Sequence, residues 1–387
     1  MPLSSEIENA ILDSNVVIVG SGLFGLTCAN LLVQNPKLKV LIIEKRSHIG
    51  GNAFSYFDQG TGIEVHKYGS HLFHTSNTKV WEYVNQFTAF NGYRHVVYSV
   101  HKNELFSLPV NLHTISQVYR EFLTPNQARA RIEADSIHEL SGENFESKAI
   151  GSIGKTLYES LFRGYTHKQW QLDPRQLPAS VFGRLPIRFN LDNSYFNDRY
   201  QGLPTNGYEA WFKSMIENDR IRVELNTDFF ELKKFIQDQS KIVIYTGPID
   251  RYFQYEFGTL GWRTLDFETE TLDMPDFQGT SVVNYPDLDV PFTRIHEFRH
   301  LHTERTYSKN QTVIMREYSR QAGRDDEPYY PINSPEDREK LAKYRKLQDL
   351  ESNTFFGGRL GTYLYLDMHM AIASAMNLVE SEVLPCL

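Results

Sequence analysis

Cysteine is nearly absent from this chain: two residues in 387, Cys28 and Cys386, with no CxxC spacing between or around them. That excludes a disulfide framework and dithiol redox chemistry, and Cys28, inside an apolar helical stretch, reads as a small buried side chain. Long apolar runs are also missing. The best candidate, Val16 to Val33, is broken by Gly20, Ser21, Gly22, Thr27 and Asn30, which argues against a membrane span. An excess of positive charge is absent too: the net charge of −8 sets the chain against nucleic acid and anionic membranes, so an anionic substrate needs a local cationic site. Met1 to Asp13 is polar and mixed in charge, unlike a secretory leader, so the cytoplasm is the expected compartment. There is no internal repeat. What remains is a globular composition, 41% hydrophobic and 23% charged, long enough for two or three domains.

The clearest chemistry lies between Asn15 and Gly51. The β-branched run Val16 to Val19 meets Gly20-Ser21-Gly22-Leu23-Phe24-Gly25 and passes into a helical stretch, Leu26 to Val33. Gly20 permits the turn, Gly22 lets backbone approach a pyrophosphate, and Gly25 lets the helix lie close to the strand. A second strand, Lys39 to Ile43, ends at Glu44, where an acid bonds a ribose 2′-hydroxyl and repels a 2′-phosphate. Gly50-Gly51 follows, a second site of close backbone approach. This doublet resembles the extended motif of the FAD-binding superfamily that includes amine oxidases and GDP-dissociation inhibitors, which favours FAD over NAD. No second complete glycine fingerprint for a nicotinamide is found.

Further along, Arg94 to Val100 and Glu104 to Leu108 read as a hairpin turning at His101-Lys102-Asn103 and ended by Pro109. Helical signals follow over Gln127 to His138, Asn144 to Ile150 and Lys155 to Phe162. Leu172 to Phe189 carries Pro174, Pro178 and Pro186 and is expected to be a loop. Lys241 to Tyr245 reads as a strand returning to the nucleotide-binding sheet, and Ser281 to Tyr285 and Thr312 to Tyr318 as strands of another sheet. Asp367 is expected to cap a helix running to Val379. His66, His71 and His74 are spaced by five and three residues without Cys or acid partners in the usual patterns, so no metal is expected.

Taken in order, the strings VGSGLFG at Val19 to Gly25, EKRSHIGGNA at Glu44 to Ala53, HKYGSHLFHT at His66 to Thr75, GYTHKQW at Gly164 to Trp170 and DNSYFNDRYQGLP at Asp192 to Pro204 resemble the bacterial UDP-galactopyranose mutase family. So do YTGPID at Tyr245 to Asp250, FQGTSVVNY at Phe277 to Tyr285, DEPYYPIN at Asp326 to Asn333 and FGGRLGTYLYLDMH at Phe356 to His369. The resemblance implies an α/β fold: an FAD-binding Rossmann-like domain (1–92, 206–256 and 334–387), a helical insertion domain (109–180) and an antiparallel β-sheet domain (93–108, 181–205 and 257–333). It implies FAD, active when reduced, and redox-neutral interconversion of UDP-galactopyranose and UDP-galactofuranose through a covalent bond between flavin N5 and the sugar. A homodimer, an external reductant and a role in cell-surface polysaccharide synthesis are implied as well. A mutase for a related nucleotide sugar, a UDP-N-acetylgalactosamine or dTDP-6-deoxy sugar, is an alternative. So are an FAD-dependent oxidoreductase of the amine-oxidase-like superfamily and a non-enzymatic binder of the GDP-dissociation-inhibitor kind.

By the same resemblance the cofactor meets Gly20, Gly22, Leu23, Phe24, Gly25, Glu44, Lys45, Gly51, Asn52, His71, His74, Arg263, Gly358, Arg359, Asp367 and Met368. Arg184 and Arg294 are the expected diphosphate clamps, suited to it because a guanidinium bonds phosphate oxygens in pairs and stays charged. Tyr165 is the expected uracil-stacking ring. Trp170, Tyr195, Asn284, Tyr329, Tyr330, Tyr365 and Asp367 are expected along the substrate, and His71 and Tyr365 join the two arginines as candidate catalytic groups. Gln171 stands where the family pattern has glycine, and with Ser70 and Leu72 it lies where sugar selectivity is expected to be set.

Overall fold

The computed structural model describes residues 5–137, 143–184, 187–307 and 310–387, with the side chains of 180, 183 and 184 excepted. Val16–Val19, with every residue buried, is the middle of a five-stranded parallel sheet. It pairs with Val40–Ile43 on one side and Ile242–Tyr245 on the other, and Ile221–Glu224 and Thr354–Phe356 complete the edges. Successive side chains of a strand point to opposite faces, and both faces here are covered. Val16 and Ile18 pack with the helices Leu23–Leu32 and Met368–Leu378, whereas Val17 and Val19 pack with Phe229, Leu232, Ile236, Leu341 and Tyr344. A parallel sheet needs that double cover, and its strands are accordingly apolar throughout.

A second sheet has seven strands in the order Tyr330–Pro331, Trp262–Leu272, Thr312–Gln321, Arg294–Glu297, Val282–Asn284, Val97–His101 and Glu104–Leu108. All its joints are antiparallel except one: Val282–Asn284 runs parallel to Val97–His101 through only the pairs Val283 to Tyr98 and Asn284 to Ser99. The expected hairpin is present, and Lys102 and Asn103 at its tip take the positive φ values of 49° and 62° that such a two-residue turn requires. Trp262–Leu272, the longest strand at 11 residues, has no counterpart in the sequence reading.

Helices Leu112–Tyr119, Pro125–Asp135 and Phe145–Ile153 cover the hairpin, burying Ile115, Ala128, Ile132, Ala149 and Ile150 against Val97 and Phe106. Their starts are capped by polar side chains: Asn111 accepts from Thr114 N (3.1 Å) and Asn144 from Ser147 N (2.9 Å). The expected helix over Lys155 to Phe162 is a short α segment followed by a π turn, Tyr158–Phe162, leading into the helix Arg163–Trp170. The proline-rich stretch forms two 3₁₀ turns, Pro174–Gln176 and Ala179–Arg184, rather than plain loop. Proline fits there because its fixed φ suits the start of a turn and its missing N–H is not needed.

Candidate active site

The glycine turn has the tight packing its sequence demands. At Gly20, with φ of +100°, a Cβ would stand 2.2 Å from Thr246 Oγ1, and at Gly25 it would stand 2.1 Å from the Gly20 carbonyl oxygen. Gly51, at φ of +58°, lies against the first loop so closely that a Cβ would come within 3.0 Å of Gly22 Cα. Leu23 and Phe24 open the helix behind this slot, and Phe24 fills the space beside Gly357 and Gly358. The slot is therefore walled by bare main chain at a helix N-terminus, which favours a pyrophosphate.

Glu44 closes one end. Its Oε2 accepts from Ser21 N (2.9 Å) and Ser21 Oγ (2.8 Å), and its Oε1 accepts from Arg46 N (2.9 Å). A carboxylate has about four acceptor positions, so Oε1 retains one for a ribose hydroxyl. Arg46 donates to Asn52 Oδ1 (2.9 Å) and, with Lys45, pairs with Glu327. Asn52 Nδ2 is buried with no partner among the described residues. An orphaned donor in a polar slot is what a missing ligand leaves behind.

At the other end, Arg359 donates to the carbonyls of Tyr329 (2.5 Å) and Pro328 (3.1 Å). Burial pulls its pKa down, while the neighbouring Tyr330, Tyr365 and Tyr329 hydroxyls oppose that. Tyr330 and Tyr365 stack at 5.8 Å. Asp367 takes the N-cap position of the helix Met368–Leu378, but its side chain makes no capping hydrogen bond, contrary to the expectation. Its carboxylate is thus not committed to the helix. His74 donates or accepts at Nδ1 with Asp198 (2.7 Å), stacks on Phe196 and meets His369 edge-on at 5.1 Å. Ligand atoms of His74, Asp367 and His369 lie within 4.8 Å of one another, a grouping that the spacing of His66, His71 and His74 does not show.

A buried carboxylate joins the histidine loop to the expected substrate wall. Ser70 Oγ contacts His296 Nδ1 (2.8 Å), and His296 Nε2 contacts Glu317 Oε2 (3.2 Å). Glu317 Oε1 accepts from Thr293 Oγ1 (3.2 Å) and faces Arg294 Nε at 3.6 Å. Although burial opposes ionisation, the Arg294 guanidinium and the His296 contact hold Glu317 down to about 2. Glu317 also raises Arg294, so the pair is charged at every ordinary pH. Neither Glu317 nor His296 was among the expected site residues. The alternation Arg294-Ile295-His296 was the available signal: two basic side chains on one face of a buried strand need an acid opposite.

Arg294 donates to the Tyr165 hydroxyl and its guanidinium lies 5.8 Å from that ring. Its register partner Asn284 has a buried Oδ1 with no partner among the described residues. Tyr195 stands near, its N–H on the His95 carbonyl (2.8 Å) and its ring 5.2 Å from His95. Tyr165, Arg294, Asn284, Tyr330 and Tyr365 are thus gathered round the Glu317 network. Two expected residues have other attachments. Arg263 is 2% exposed and gives its N–H groups to the Gln169 carbonyl (3.1 Å) and Ser319 Oγ (3.1 Å), tying down a helix end. Trp170, the last residue of that helix, packs against the core of the helical layer. The Arg184 side chain lies outside the described residues. Gln171 adopts φ of +50°, the left-handed conformation glycine takes without cost, so the departure from the family pattern falls at a strained position.

His71 sits where Gly69 O (2.9 Å) meets its Nδ1, its N–H on His66 Nδ1 (3.1 Å) and its carbonyl on Tyr208 Oη (2.8 Å). Burial lowers His71 to about 4, His66 to about 3 and His95 to about 3. All three are neutral when folded but charge below about pH 6.5 when unfolded. The unfolded chain then binds more protons, so stability is complete above pH 6.5 and declines as the pH falls from there toward 4. Thermal midpoints measured from pH 8 to pH 4.5 are expected to drop steeply below 6.5; a flat profile would contradict the buried neutral histidines.

Comparison with known proteins gives the family of the chain. Residues 160–365 match the family model described as UDP-galactopyranose mutase, and residues 18–87 match an NAD(P)-binding Rossmann-like domain. A Klebsiella pneumoniae protein described as a probable UDP-galactopyranose mutase is 42% identical over 369 residues, covering 95% of this chain and 94% of that protein. The dTDP-fucopyranose mutase of Escherichia coli is 39% identical over 371 residues, covering 95% and 98%. A crystal structure of reduced UDP-galactopyranose mutase shares the fold, with a TM-score of 0.71 at 14% identity over 97% of this chain and 94% of that one. On the match of more than half its length and on these relatives, the chain belongs to the UDP-galactopyranose mutase family.

Proposed function

We propose that the chain interconverts UDP-galactopyranose and UDP-galactofuranose without net redox change, using FAD held in the glycine slot in its reduced form. The bare walls at Gly22 and Gly51, the remaining acceptor position on Glu44 and the orphaned Asn52 Nδ2 all fit such a dinucleotide. Reduced flavin supplies an electron-rich ring nitrogen able to attack an anomeric carbon.

The observation that carries the reading is Arg294, a permanently charged guanidinium bonded to Tyr165 beside the orphaned Asn284 Oδ1. Loss of UDP from the sugar concentrates negative charge on the diphosphate, and a fixed cation in a water-poor site stabilises that charge more than it stabilises the ground state. Glu317 holds Arg294 from behind, and Tyr165 offers a ring for the uracil and a hydroxyl that also holds Arg294. His71, neutral at working pH, can face the cofactor without adding positive charge. Arg184 is the second diphosphate clamp, and Tyr195, Tyr329, Tyr330, Tyr365 and Asp367 line the substrate. Arg359 offsets the negative charge of the reduced ring. The finer assignments rest on the family resemblance: a homodimer acting in the cytoplasm, reduced by an external donor and serving cell-surface polysaccharide synthesis.

Dithionite-reduced protein incubated with UDP-galactofuranose is expected to form the pyranose, followed by chromatography, while oxidised protein does not. No conversion by reduced protein, or equal conversion by both, overturns the reading. The 39% identical relative that acts on dTDP-fucopyranose makes dTDP-fucofuranose the necessary parallel substrate, and faster turnover of it would reassign the sugar and base while keeping the chemistry.

A further inference from the structure

Lys168 lies on the helix Arg163–Trp170, three residues after Tyr165, and has no place in the site described so far. Its Nζ lies within hydrogen-bond distance of four main-chain carbonyls of one loop, those of Tyr285 (2.5 Å), Asp287 (2.8 Å), Val290 (2.9 Å) and Phe292 (2.9 Å), so its three N–H groups are shared among four oxygens. An ammonium is a compact point charge with three donors, and four carbonyl oxygens around it resemble the rings of carbonyls that replace the water shell of a bare monovalent cation. The Asp287 carboxylate is engaged elsewhere, with His101 Nδ1 (2.5 Å) and Lys102 N (2.8 Å). The atoms in contact with the ammonium are therefore backbone oxygens, with the Asp287 and Asp289 carboxylates adding negative charge near them.

The same helix touches the loop at a second point. A Cβ on Gly164 would stand 2.1 Å from the Pro286 carbonyl oxygen, so the helix approaches the loop as closely as main chain allows. Both ends of the loop lead into the site. Asn284 precedes it and Arg294 follows it, Tyr285 N bonds the Thr293 carbonyl (2.9 Å) to close it, and Thr293 N bonds the Glu317 carbonyl (2.8 Å).

We propose that Lys168 is a tethered cation filling a carbonyl cage: a positioning residue that fixes the helix bearing Tyr165 against the loop delivering Asn284 and Arg294, and whose charge a free monovalent cation can replace. Without a cation the four part-buried carbonyls face one another with no side-chain donor between them, and acceptors that water reaches only in part are costly to leave unpaired. The loop then relaxes, and the Tyr165 to Arg294 contact is lost with it. A methionine, uncharged and one heavy atom shorter, keeps an apolar methyl at the mouth of the cage and leaves the oxygens unsatisfied. The effect on turnover rests on the mutase reading; the cage itself does not.

The test uses full-length protein with FAD at constant ionic strength in lithium, potassium or ammonium chloride. Lys168→Met is expected to fold and stay yellow but to lose about tenfold or more in kcat/KM, with no response to the cation. Lys168→Ala opens the cage. It is expected to show the same loss in lithium, whose ion is too small for oxygens at these distances, and to regain most of the wild-type rate and a higher thermal midpoint in potassium or ammonium. The wild type should respond to none of them. A Lys168→Met protein with wild-type kcat and KM, or a Lys168→Ala protein whose midpoint and rate are the same in all three salts, overturns the proposal. Should the wild type fail to turn over the nucleotide sugar, the mutase reading fails, and the salt-specific midpoint of Lys168→Ala still decides the cage.

Discussion

Arg294→Ala is expected to lower kcat by about 10²–10³-fold, the usual cost of removing one preorganised donor from a developing negative charge, while the flavin spectrum stays unchanged. The glycine slot lies on a different sheet from Arg294, so cofactor binding should not respond. Stability will respond, because Glu317 is 3% exposed and Arg294 is the one cation of fixed charge paired with it among the described residues. Breaking a buried ion pair from one side costs about 3–5 kcal/mol. Here the lower end is expected, since Glu317 keeps Thr293 and can share a proton with His296. The double variant Arg294→Ala/Glu317→Gln separates the two effects: it should recover much of the stability and none of the turnover. An Arg294→Ala enzyme within a few-fold of wild-type kcat would remove the proposed clamp.

Gly51→Val should yield colourless protein. A β-branched side chain at φ of +58° is strained by about 1–3 kcal/mol, and its Cβ would press on Gly22 Cα at 3.0 Å. Both loops must then part, and the volume they lose is the slot through which a pyrophosphate passes. Flavin content per chain after desalting is the measurement, with Gly62→Ala as a control, because nothing lies within 4 Å of a Cβ at Gly62 despite its positive φ. If Gly51→Val retains a full complement of flavin, the slot is not where the dinucleotide lies.

The parts of this molecule legible in the sequence are the local ones. The glycine turn, Glu44 and the hairpin are defined by neighbours within a few residues, so their types and spacing suffice. Trp262–Leu272 is illegible for a physical reason: its outward side chains Asp266, Glu268 and Glu270 are satisfied by Arg320 and Arg316 on the adjacent strand. Its second half buries little, so no apolar alternation marks it. The site follows the same division. Ser70, His296 and Glu317 come from three separate elements, and the ligands of Lys168 are carbonyls, which have no sequence signature. Arg263 and Trp170 were legible as motif residues, whereas their attachments to the Gln169 carbonyl, to Ser319 and to the helical core come from distant parts of the chain and leave no local signal.

The two residue pairs that join Val282–Asn284 to Val97–His101 have a mechanical meaning. Extended antiparallel ribbon lies on one side of this seam, the hairpin and its helical cover on the other, and the sheet hydrogen bonds across it are few. Side-chain packing carries what these few hydrogen bonds do not: Val282 shares one buried core with Val97, Phe106 and the helices behind them, and the Gln169 carbonyl accepts from Arg263 and Ser319 across the same divide. Asn284 sits in the seam itself and Lys168 fastens it from the helical side, so the joint that backbone pairing leaves weakest is braced beside the pocket by side chains.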